Sequence, residues 1–187
     1  MMPLIIYHGH CYDGFSAAWV AQKYFNEHEE LLEQDAGGAI RGVDFHAAAY
    51  ETEPPDVKGK DVFILDFSYP RKTLIKINLE AKSLLVLDHH MRAEINLKGL
   101  DFCVFDMKRS GAGMTWDHFF PGKPRPLMLN RIEDRDLWVF KFDDTKPAQA
   151  YAGIVPMTFE AWDKLMDDEL FFTYLDKGEA ILEYIAM

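Results

Sequence analysis

Four short stretches of this chain gather residue types that bind divalent metals. They are His8-Gly9-His10-Cys11-Tyr12-Asp13-Gly14, the lone Asp66, Asp88-His89-His90, and Glu133-Asp134-Arg135-Asp136. Imidazole and carboxylate donors together suit Mn²⁺ or a similar ion. Two such ions about 3.5–4 Å apart clamp the attacking and leaving oxygens of a phosphoryl group. Each stretch has an ordinary reading when taken alone. Asp66 could be a helix cap or turn residue, the paired histidines a solvated turn, His8 and His10 polar groups of a tight turn, and Glu133–Asp136 a charged helix end. The joint pattern argues for a metal site.

The elements that must position these residues are short apolar runs alternating with helix-like stretches. Leu4–Tyr7, Val62–Leu65, Leu84–Leu87 and Phe102–Phe105 read as buried strands, and residues 39–45 as a further one weakened by Gly42. Continuous apolar runs without strict alternation predict strands covered on both faces, as in a parallel sheet. Helices are expected at 15–28, 71–82, 111–120 and 126–131, with Pro121-Gly122-Lys123-Pro124 breaking the chain before the last of these. The expected fold is α/β, a doubly wound and mainly parallel sheet flanked by helices. Residues 1–156 are expected to form the main domain, with 157–187 a helical extension packed on it. Three of the four clusters then fall at the carboxyl ends of strands, where open parallel sheets bind ligands. Trp19, Trp116, Trp138 and Trp162 are expected in the core.

Composition narrows the classes. With 49% hydrophobic and 27% charged residues, the chain of 187 reads as globular. No apolar run approaches the roughly 20 residues of a membrane span, and no basic segment precedes an apolar one at the N-terminus, so a cytoplasmic protein without membrane attachment is expected. Twenty Lys+Arg against 31 Asp+Glu give a net charge of −11, which disfavours a grip on duplex nucleic acid. Small phosphorylated ligands stay compatible, because a metal supplies positive charge locally. Two cysteines are too few for a disulfide framework. No Gly-x-Gly-x-x-Gly follows the first strand, which argues against a nicotinamide-binding protein.

Asp88-His89-His90 after an apolar strand resembles the signature of the DHH phosphoesterase superfamily, which includes RecJ-like exonucleases, nanoRNases, cyclic dinucleotide phosphodiesterases and family II pyrophosphatases. The resemblance extends over His8–Ala18, the strand ending in Asp66, and Ile132–Trp138, in the family's order. It implies metal ligation by His8, Asp13, Asp66, His89 and Asp134, with Asp66 bridging two ions and Asp136 as the alternative to Asp134. His90 is implied to contact the scissile phosphate, and Asp88 to orient the histidines. The usual first motif has one His and two Asp; here one acidic position is taken by His10 or Cys11. Arg109-Ser110-Gly111 resembles a segment facing substrate, and a Gly-rich helix N-terminus beside an Arg can hold a phosphate.

The sequence therefore predicts a metal-dependent phosphoesterase acting on a small phosphodiester such as a short oligonucleotide, dinucleotide or nucleotide. The expected cofactor is Mn²⁺, as one or two ions, with Mg²⁺ or Co²⁺ as alternatives. A pyrophosphatase or phosphomonoesterase of the same superfamily, or a catalytically silent nucleotide- or metal-binding module, is the alternative function. The second substrate-binding domain usual in the family is expected to be absent. The cleft is then open on one side, with little base preference, and a homodimer is one way to close it.

Overall fold

The structure, a computed structural model, describes all 187 residues. They divide into two compact units, Met1–Pro121 and Gly122–Met187. The first unit holds strands β1 (Pro3–His8), β2 (Asp44–Ala48), β3 (Asp61–Leu65), β4 (Ser83–Asp88) and β5 (Cys103–Phe105). Its helices are α1 (Tyr12–Glu27), α2 (Arg71–Glu80), α3 (Met91–Leu97) and α4 (Gly111–Phe119). All five strands pair in parallel in the order β2-β1-β3-β4-β5. This is one of the two common orders of doubly wound sheets, and its direction reverses between β1 and β3.

The apolar runs are buried because both faces are covered. Leu4, Ile6, Val62, Ile64 and Val86 pack with Leu74 and Ile77 of α2 and Leu97 of α3 on one face. On the other, Phe63 meets Phe25 of α1 and Phe119 of α4. The edge strand β2 begins later than the 39–45 expected. It pairs with β1 from Asp44 onward and is half-exposed, so it carries no continuous apolar run.

The second unit is helical: α5 (Leu127–Asp136), α6 (Thr145–Ala152), α7 (Phe159–Leu165) and α8 (Phe171–Ala186). The sequence places a break at 156/157, whereas the units part at Pro121/Gly122. The reason lies in how the helices pack. α6 contacts both α5 and α8, and Gly178 of α8 lies so close to α6 that an added Cβ would fall 1.9 Å from the Pro147 carbonyl oxygen. α5 also runs five residues further than the 126–131 expected, so Glu133–Asp136 forms its last turn rather than following it. Trp19, Trp116 and Trp162 are buried as expected. Trp138 is not. It is 68% exposed, has φ 57°, and lies under the Arg135 guanidinium.

Candidate metal centre

The carboxyl ends of β1, β3 and β4 bring His8, Asp66, Asp88, His89 and His90 to one edge of the sheet, at the point where the strand order reverses. Asp66 follows β3 in the left-handed region at φ 56°, and its N–H donates to the Leu87 carbonyl at 2.9 Å. That conformation is uncommon for a residue with a side chain, though Asp adopts it more readily than most. Gly111 accounts for the close packing here. A Cβ on Gly111 would lie 2.3 Å from the Asp66 Cβ, so only glycine lets the start of α4 approach this carboxylate.

Asp66 is 1% exposed and faces histidines on both sides. Its Oδ1 is 3.1 Å from His89 Nε2, and its Oδ2 is 3.3 Å from His8 Nδ1. The His8–Asp66 approach is out of hydrogen-bonding alignment, so both atoms are buried without a hydrogen bond. Burial pushes the Asp66 carboxyl upward, but the histidines outweigh it and hold the group down at about 2. Donor atoms of His8, Asp66 and His90 lie within 4.8 Å of one another. On the other side of Asp66, His89 Nε2 lies 3.9 Å from Asp13 Oδ2. Asp66 thus stands between two donor groups, His8 with His90 and Asp13 with His89.

Asp88 ends β4 with no exposure, and its oxygens are fully occupied. Oδ1 accepts from the backbone N–H groups of His89 and His90 and lies 2.6 Å from His90 Nδ1; Oδ2 accepts from Ser68 Oγ at 2.5 Å. A proton on Nδ1 toward Asp88 leaves Nε2 of His90 as the electron-pair donor. The Asp88 hydrogen bond also raises the His90 pKa, against the opposing effect of burial.

The structure departs from the expected roles at four places. His90, expected to serve substrate, belongs to the donor group with His8 and Asp66. Asp134, expected to ligate metal, is closed off within the second unit: Lys141 N–H donates to one carboxylate oxygen at 2.8 Å, and Phe142 N–H and the Thr145 hydroxyl donate to the other. Its carboxyl is buried, which raises the pKa, yet these bonds bring it below the ordinary value. Asp134 therefore fastens the loop after α5. Asp136 is exposed at the end of the same helix. Arg109, expected on a phosphate, ion-pairs through Nε with Asp106 at 2.8 Å and through Nη1 with Asp117 at 3.0 Å. The N-terminus of α4, expected to hold a phosphate, holds Asp13 instead. Ala112 N–H reaches both Asp13 oxygens at 3.2 and 3.3 Å, while Ser110 caps the helix by accepting from Gly113. The helix dipole there favours an ionised Asp13.

His10 is exposed in a turn at φ 56°. Cys11 begins α1, and burial pushes its thiol up to about 12, so no thiolate forms there at neutral pH. Sequence reasoning passed over Ser68 and the aromatic residues Tyr50 and Phe67 beside His8 (ring centroids 5.6 and 5.9 Å away). The turn Phe67-Ser68-Tyr69-Pro70 directly after Asp66 was the available signal.

No family model matches the chain. It is 32% identical over 188 residues to an uncharacterized protein of Acanthamoeba polyphaga mimivirus, an alignment covering 98% of this chain and 44% of that protein. The chain thus spans less than half the length of that relative. The crystal structure of an uncharacterized protein from Helicobacter pylori superposes with a TM-score of 0.65 at 10% identity, covering 97% of this chain and 62% of the other. At that identity the likeness shows a shared fold, and the fold is α/β with an all-parallel sheet.

Proposed function

We propose that this protein is a metal-dependent phosphoesterase of the DHH type, acting on small phosphodiesters. The observation that carries the reading is Asp66, a buried, ionised carboxylate between two imidazole-bearing donor groups, with its Oδ2 and the facing His8 Nδ1 both lacking hydrogen bonds. Buried polar atoms are nearly always paired, so two orphans facing one another suit a cation between them. Imidazole and carboxylate donors fit Mn²⁺, with Co²⁺ or Mg²⁺ as alternatives. His8, Asp66 and His90 would hold one ion; Asp13, His89 and Asp66 would contribute to a second.

When bound, such an ion supplies Lewis acidity toward a phosphoryl oxygen and makes a neighbouring water more acidic. The chain's own groups prepare the site. Asp88 holds the His89 backbone N–H, fixes the ring orientation of His90 and keeps the His90 proton on Nδ1. The α4 N-terminus holds the Asp13 carboxylate through the Ala112 N–H, and Gly111 lets that helix start against Asp66. His90, about one-third exposed, marks the side from which an ester enters.

The direct test is hydrolysis of bis(4-nitrophenyl) phosphate by purified protein after chelator treatment. Turnover restored by added Mn²⁺ and abolished by excess chelator is expected. Binding of Mn²⁺ without any hydrolysis would instead favour the silent metal-binding module. No Mn²⁺ binding at all would overturn both readings.

A further inference from the structure

We infer that the cleft beside His90 in the first unit is a subsite for a planar aromatic group carried by the phosphoester; this rests on the phosphoesterase reading. The cleft measures about 1050 Å³, at the upper end of what small-molecule sites occupy and far more than a phosphate needs. His90 and Asp88 belong to its lining, so a phosphate at the metal centre would leave its organic group beside the cleft.

An aromatic wall continues from the metal centre. The Tyr50 ring lies 5.6 Å from His8, Phe67 lies 5.3 Å from Tyr50, and Tyr69 lies 4.9 Å from Phe67. Phe67 and Tyr69 are buried supports, whereas Tyr50 is 59% exposed and offers its ring to the cleft. Aromatic groups favour edge-to-face or offset contact with such rings. One polar feature points to a ligand. Tyr69 is only 3% exposed, and its hydroxyl has no hydrogen-bond partner, leaving a buried donor for a ligand oxygen. Arg92, exposed in the lining, adds a positive charge there, whereas the Arg71 guanidinium is tied to the Asn96 and Lys98 carbonyls.

The test is calorimetric titration of the Mn²⁺-loaded protein with inorganic phosphate, phenyl phosphate and cyclohexyl phosphate. Phenyl phosphate should bind about three- to ten-fold tighter than cyclohexyl phosphate, its non-planar counterpart of similar size. Tyr50→Ala, at an exposed position, should erase that difference while leaving inorganic phosphate binding in place. Tyr69→Phe keeps the ring and should weaken phenyl phosphate binding. Equal affinities for the two esters, or a preference that survives Tyr50→Ala, would overturn the subsite. If inorganic phosphate binds while neither ester gains over it, the subsite fails and the phosphoesterase reading stands. If none of the three binds, that reading fails and the subsite falls with it.

Discussion

At the scale of single residues, the account turns on which carboxylates are open to a cation. Asp66 and Asp134 are both buried and both held below the ordinary carboxyl range, for different reasons. Asp134 has its oxygens filled by Lys141, Phe142 and Thr145; Asp66 has one oxygen facing an unpaired imidazole nitrogen. Asp134→Asn should therefore destabilise the protein by about 1.5–3 kcal/mol, the usual range for hydrogen bonds to a charged group, while Mn²⁺ stoichiometry stays unchanged. Denaturant melts and metal analysis of the same sample check both halves. Because both groups titrate lower when folded, their contribution is complete above the unfolded pKa near 3.8 and disappears as pH falls toward about 2 for Asp66. Acid unfolding monitored from pH 5 downward should show the loss confined to that window. The raised His90 pKa has the opposite sign for fold stability: its contribution is present at low pH and lost as pH rises through that pKa. Mn²⁺ must displace the proton, so it should bind more weakly as pH drops through the same pKa. Asp88→Asn removes the group that raises it and should move the Mn²⁺-binding profile to lower pH. A profile that did not move would remove Asp88 from this role.

At the scale of elements, glycines set how closely helices approach the strand ends. A Cβ on Gly14 would fall 2.3 Å from the His8 carbonyl oxygen, and one on Gly111 the same distance from the Asp66 Cβ. Gly111→Ala should cost about 1–3 kcal/mol through overpacking and also lower Mn²⁺ affinity, because the displaced Cβ carries the shared carboxylate. Loss of stability with unaltered affinity would mean that Asp66 keeps its position. The sheet and its parallel pairing were legible in the sequence because β1, β3 and β4 are covered on both faces and leave unbroken apolar runs. The half-exposed edge strand β2 leaves no such run. Helices α3 and α6 gave little signal. α3 spans only seven residues with a single one fully buried, and α6 carries Pro147 in its first turn, where the missing N–H has no partner to lose. The placement of His8, Asp66 and Asp88–His90 at strand ends was legible. The engagement of Arg109 with Asp106 and Asp117, and of Asp134 with its own loop, depends on folding at close range that spacing does not encode.

At the scale of the molecule, the donor groups around Asp66 belong to the first unit, and the chain's net charge of −11 disfavours the approach of any long polyanion. A dinucleotide should be cleaved with higher kcat/KM than a long single strand, and processive degradation of the long strand at equal or better kcat/KM would sink that expectation. No helix is long and apolar enough to cross a membrane. In the proposed function, Asp66 joins two donor groups into one catalytic metal centre. That role is tested most directly by measuring bound Mn²⁺ and bis(4-nitrophenyl) phosphate turnover together in the wild-type chain and in Asp66→Asn. The account predicts that the variant keeps its far-UV circular dichroism and loses both turnover and most of its metal. A variant that retains wild-type metal stoichiometry and turnover would contradict it.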